Sequence, residues 1–238
     1  MRGLAQLNER DHVVLFGYRR GESERMIEEI RADPTFENRS VVLCSYTETE
    51  NPLPDQVHFV HGDMTSDETL GRACVSDADL IIIHRDDDAK SIVSAIAAYS
   101  VNPTAHIVVH LRNEENEKHL RRVSPSFECV TPLAIALIVQ AVQDPGISRL
   151  IRALTSNVDA DDVLYRINVP ADVAPRQFAA LLQTFKERHD AILLGVAESA
   201  ARDAGIEINP AGDREVRGGM ALFYICARRL TAVDWSAL

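Results

Sequence analysis

Gly17-Tyr18-Arg19-Arg20-Gly21 is the first segment whose residue types and spacing could do chemistry. It follows the apolar run His12–Phe16 and precedes a stretch with helical spacing. Dinucleotide-binding folds offer backbone N–H groups to a phosphate at that position. The middle glycine of G-x-G-x-x-G is missing here, and the outer ones are spaced differently. Arg19 and Arg20 could replace the lost contacts by gripping an anion through their guanidinium forks. A solvated turn explains the same residues without a ligand. The acid that holds a nicotinamide ribose is also missing. The second apolar run ends in Cys44-Ser45-Tyr46, and Glu48 and Glu50 come only later. The pattern argues against ordinary NAD binding.

Two further segments close apolar runs. In His61-Gly62-Asp63-Met64-Thr65 the glycine suits a tight turn, and Asp63 could accept a hydrogen bond from a base or cap the next helix. His84-Arg85-Asp86-Asp87-Asp88 follows Leu80–Ile83, and three consecutive acids suit a divalent cation, which takes several oxygens. The same acids would complement a helix dipole. His110-Leu111-Arg112-Asn113-Glu114 brings another histidine, arginine and acid to the end of the next run. The candidate ligand residues are thus Gly17, Tyr18, Arg19, Arg20, Gly21, Asp63, Met64, His84 and Arg85. The candidate metal ligands are Asp86, Asp87, Asp88 and Glu114. No G-x-S-x-G elbow, H-E-x-x-H motif or Tyr-x-x-x-Lys pair occurs, so no catalytic set emerges.

Positioning such residues at one edge requires a sheet, and the chain reads as one. Short all-apolar runs at residues 12–16, 40–44, 57–60, 80–83, 106–110 and 127–130 alternate with helical stretches. Strands buried on both faces read this way, and the alternation predicts an α/β, Rossmann-like, doubly wound parallel sheet. Ser23 is the expected cap of the first helix. A helix-turn-helix follows, broken by Asp144-Pro145-Gly146. Its apolar residues need a partner surface: a core helix over the sheet and an arm docking on a second subunit fit equally. A smaller α+β lobe completes the chain. The expected domains are residues 11–130, 131–157 and 158–238.

The formal net charge of −11 disfavours nucleic acid as a partner. None of the four cysteines forms a C-x-x-C pair, and they read as reduced thiols in a cytoplasmic setting. No apolar stretch reaches the ~20 residues needed to span a bilayer. A soluble part of a longer membrane protein remains compatible with this.

Four segments together resemble the RCK (regulator of potassium conductance, or KTN) domain. They are His12–Tyr18, Phe59–Thr65, Ala78–Ile83, and the Ile208-Asn209-Pro210 turn before Arg217–Leu222. The Phe59–Thr65 segment, similar to the family's V-x-G-D-x-T, is the most specific. The resemblance implies a cytoplasmic regulator of potassium channels or transporters that is not an enzyme. It implies a homodimer paired through residues 132–154, an octameric gating ring in channels, and a membrane pore domain as partner. It implies Ca²⁺ or another cation, or a nucleotide (NAD or ATP/ADP), as ligand. In Ca²⁺-gated members acids end the fourth and fifth strands, whereas here His84, His110 and Arg112 stand there. Histidines at those points add protons near neutral pH as a third ligand class. The main expectation is a gating-ring domain coupling ligand binding to pore opening. The alternatives are a peripheral subunit of a potassium uptake transporter and an NAD(P)-dependent oxidoreductase.

Overall fold

The computed structural model describes residues 2–159 and 161–235; residues 236–238 of the expected C-terminal lobe lie outside the described residues. The chain divides into two compact units, residues 1–31 with 35–135, and residues 32–34 with 136–238.

The first unit contains β1 (Val13–Phe16), α1 (Glu22–Ala32), β2 (Val41–Ser45), β3 (His58–His61), α2 (Asp67–Arg72), β4 (Leu80–Ile83), α3 (Asp88–Val101), β5 (His106–His110), α4 (Glu117–Arg121) and β6 (Glu128–Val130). All six strands run parallel in the order β3-β2-β1-β4-β5-β6. This is the doubly wound arrangement expected from the alternating apolar runs, with its switch point between β1 and β4. Alternation along the strands feeds two cores. Val14, Phe16, Val42 and Cys44 face one side with Leu70, Ala95, Ala98 and Leu120 from α2, α3 and α4. Val13, Leu15, Val41 and Leu43 face the other with Ile27 of α1. The charged stretch 113–123 is a single 3-10 turn at Glu114–Asn116 followed by the short α4. Residues before β1 also belong to the unit: the Gly3 carbonyl accepts from His61 N–H (2.9 Å), and Leu7 packs on the core.

The helix-turn-helix is α5 (Ala134–Gln143) and α6 (Ile147–Leu154). No residue of either helix is buried.

The second unit adds β7 (Val163–Asn168), β8 (Arg176–Gln177), α7 (Phe178–His189), β9 (Ile192–Ala197), β10 (Ile206–Ile208), β11 (Glu215–Val216) and β12 (Ala221–Cys226). Four strands form an antiparallel sheet in the order β10-β9-β12-β7, and β8 pairs with β11. Phe178, Leu181 and Phe185 of α7 pack on Tyr165, Leu193 and Tyr224. The buried Tyr224 hydroxyl accepts from Leu230 N–H at 2.8 Å, which satisfies its polar end. All four cysteines are free thiols, and burial pushes the Cys44 thiol well up.

Candidate ligand crevice at the carboxyl edge

The parallel sheet brings the exits of β1, β2, β3, β4 and β5 to one edge, where open α/β folds bind ligands. At the exit of β1, Gly17 has φ +96°, and a Cβ built there would lie 2.4 Å from the His84 carbonyl oxygen. Glycine is therefore needed so that the turn can pass the exit of β4. Gly21, at φ +82°, caps α1. The cap is not Ser23 as the sequence suggested. The Ser23 hydroxyl instead accepts from Arg19 N–H (2.9 Å), and the Glu24 carboxylate accepts from Gly21 N–H (2.6 Å). This is the reach-back half of a capping box. The other Glu24 oxygen accepts from the Tyr18 hydroxyl at 2.7 Å. Burial pushes the Glu24 carboxyl up, but the Tyr18 hydroxyl and the backbone N–H groups outweigh it and hold it below the usual carboxylate range. The bond to Glu24 is also the main cause that raises the Tyr18 phenol. Arg20 is exposed.

His84 is 8% exposed and directly follows β4. Its Nε2 lies 3.2 Å from a Glu22 carboxylate oxygen and 3.5 Å from Arg19 Nη1. The His110 ring, from the end of β5, sits 4.9 Å away at a 58° tilt. Burial holds His84 below the usual imidazole range, and His110, Arg19 and Arg112 push the same way against Glu22. The two histidines singled out in the sequence are thus brought together.

The three consecutive acids diverge. Asp86 pairs with Lys90 at 3.3 Å. Asp87 is the N-cap of α3 and accepts from Lys90 N–H. Asp88 accepts from Arg112 N–H (2.8 Å), Asn113 N–H (3.1 Å) and the Asn116 amide (2.8 Å). Asp88 thereby ties the start of α3 to the exit of β5. Glu114 is exposed in its 3-10 turn. Among the described residues no group of three or more His, Cys, Asp or Glu side chains is gathered to hold a metal ion.

Burial pushes the Asp88 carboxyl up, while the hydrogen bonds from Arg112, Asn116 and Asn113 more than offset it, leaving the group below its ordinary value. A carboxyl lowered in the fold stabilises fully above its unfolded value, about 3.9, and loses that contribution as pH falls through the folded one. Asp88→Asn is expected to lower stability by about 1–2 kcal/mol at neutral pH, since a charged acceptor is lost to two backbone donors. It should also flatten the acid side of the stability–pH curve. Urea melts at pH 7 and on the acid side check both.

Between these groups lies a crevice of about 470 Å³ lined by Tyr46, Asp63, Thr65, Arg85, Ala89, Lys90 and Val93. Tyr46 is 66% exposed and stacks on His61 at 6.1 Å. Asp63 accepts from the N–H and hydroxyl of Thr65, while Ser66, not Asp63, caps α2. Arg85 donates to the Ser94 hydroxyl at 2.8 Å. Met64 is 2% exposed and belongs to the core, so its side chain does not face the crevice. A larger hollow of about 870 Å³ lies at the opposite end of β2 and β3. Its Arg39 pairs with Asp79 and its Arg31 donates to the Gln56 carbonyl, so these two cations serve the fold. Tyr46, Lys90, Glu22 and Glu24 were not among the sequence candidates. An aromatic residue at a strand exit and acids in a helix's first turn were the signals available for Tyr46, Glu22 and Glu24.

Residues 24–126 match the TrkA-N domain family. The chain is 30% identical over 110 residues to a Bacillus subtilis protein named as a potassium channel protein, YugO, covering 43% of this chain and 32% of that one. It is 27% identical over 122 residues to the calcium-gated potassium channel TvoK of Thermoplasma volcanium, covering 47% of this chain and 35% of that one. The chain thus spans about a third of the length of these relatives. The human SLO3 gating ring has the same fold: TM-score 0.68, 16% identity, covering 91% of this chain and 44% of that one. Phe59–Thr65 and Ala78–Ile83, two of the four segments that carry the RCK resemblance, lie within the matched residues, and the resemblance holds. Among the described residues no helix is long and apolar enough to cross a membrane.

Proposed function

With a TrkA-N domain over residues 24–126 as its premise, we propose that this chain is a ligand-responsive regulatory domain of a potassium-conducting pore and works as a homodimer joined through α5 and α6. The observation that carries the reading is the pair of helices with no buried residue, bearing Ile135, Ile138, Val139 and Val142 at helical spacing on one stripe. Such a stripe in water calls for a partner. Its coupling to the pore is linkage: a ligand that binds one arrangement of the dimer better raises that arrangement's population.

The ligand enters the crevice at the carboxyl edge. Its aromatic ring, single carboxylate and two cations suit a base and an anionic group, which keeps the nucleotide class in view. The name of the calcium-gated relative supports the cation class. Of the four acids read as metal ligands, Glu114 is exposed and could meet a cation, Asp86 is exposed but paired with Lys90, and Asp87 and Asp88 are engaged by backbone N–H groups.

Light scattering at micromolar concentration is expected to give a dimer; a monomer would count against the reading. Thermal unfolding with Ca²⁺, Mg²⁺, K⁺, NAD, ATP and ADP identifies the ligand, because binding to the native state alone raises the midpoint.

A further inference from the structure

The turn between β1 and α1 is where a doubly wound fold would hold nucleotide phosphates. Two of its backbone donors are already taken by its own helix. Arg19 N–H goes to the Ser23 hydroxyl, and Gly21 N–H goes to Glu24 at 2.6 Å. The Arg19 guanidinium pairs with Glu22 at 3.1 Å, and Glu22 also reaches His84 at 3.2 Å. Gly17 opens no space for a ligand either, because the place of its missing Cβ is filled by the His84 carbonyl. The Glu24 carboxylate bridges a backbone N–H and the Tyr18 hydroxyl with its two oxygens, as a phosphate group would.

We infer that Glu24 occupies the phosphate seat of this fold, with Glu22 holding the neighbouring guanidinium, so that the turn is closed to nucleotide phosphates by its own helix. An incoming diphosphate would have to displace one carboxylate and lie beside a second, and like charges in a partly buried site repel. The residues at this turn do not fit the group that the fold leads one to expect. Any nucleotide would have to be held through the crevice side chains instead. This stands apart from the dimer reading, since neither carboxylate lies on α5 or α6.

The test uses inorganic pyrophosphate, which has no base to bind elsewhere in the crevice, and follows the thermal midpoint. Wild type is expected to show no shift at millimolar pyrophosphate. The double variant Glu22→Gln/Glu24→Ala is expected to gain a saturable rise, lost again when Arg19→Ala is added. Glu24→Gln alone keeps an acceptor for Gly21 N–H, and so protects the helix start if the double variant fails to fold; a smaller rise is expected there. A saturable shift in wild type that Arg19→Ala removes would overturn the inference. So would folded carboxylate variants that stay blind to pyrophosphate.

Discussion

Gly17→Ala is expected to destabilise the N-terminal unit by about 3 kcal/mol or more, from a left-handed backbone costing about 1–3 kcal/mol and a contact the neighbour cannot relieve. The added Cβ would meet a backbone oxygen, His84 O, at 2.4 Å, rather than the end of a flexible side chain. To relieve it, β1 or β4 must shift, and both are central strands of the sheet. With roughly 2–4 °C lost per kcal/mol in a protein of this size, the midpoint should fall by about 6–12 °C. Gly21→Ala is the matched control. Gly21 is also left-handed, at φ +82°, but no atom lies within 4 Å of its missing Cβ. Only the backbone term applies there, about 1–2 kcal/mol. Urea melts of the two variants separate the close approach from the conformation. Equal losses would show that the His84 carbonyl does not constrain the turn.

The same pair of glycines shows how much was legible in the sequence. Gly17 and Gly21 stood out as a possible phosphate loop, and the structure places both at a turn with positive φ. What each glycine answers to could not be read, because the His84 carbonyl is 67 residues away in the chain and arrives only through the β1–β4 pairing. The parallel strands were legible because burial on both faces leaves a continuous apolar run, as in Leu80–Ile83. The pairing of Arg176–Gln177 with Glu215–Val216 was not, since two-residue strands are too short to show a period. Asp86-Asp87-Asp88 read as one acidic cluster, yet successive residues of a cap and first helical turn point apart, and each acid has its own partner. His84 and His110 could be placed at strand exits from the sequence, and adjacency of β4 and β5 explains their 4.9 Å approach. Met64 followed the motif toward the ligand but turned inward, a choice made by the space beneath α2 and not by the motif itself.

Aspartate at Ile138 and Val142 together is expected to dissociate the proposed dimer. These side chains are 63% and 79% exposed in the single chain, and they stand four residues apart on the stripe that includes Ile135, itself 81% exposed. Burying an apolar side chain of this size contributes about 1.5–3 kcal/mol, and removing a central one from an interface costs 2 kcal/mol or more, at least roughly. In an isologous dimer every substitution occurs twice. Even if only one of the two positions is central, the loss is about 4 kcal/mol or more, roughly a thousandfold in Kd. The introduced carboxylates would also face one another across the two-fold axis in a chain whose net charge is already −11. Because no residue of α5 is buried within one chain, the far-UV circular dichroism should stay unchanged. Sedimentation velocity of wild type and variant over a concentration series reads the effect. A dimer that persists in the variant would move the interface off α5. A variant that is monomeric but natively folded, set against a dimeric wild type, would place it there. It would also supply a monomer in which ligand response can be measured apart from assembly: linkage between ligand and dimer predicts that the thermal shift of any identified ligand changes when the partner is lost.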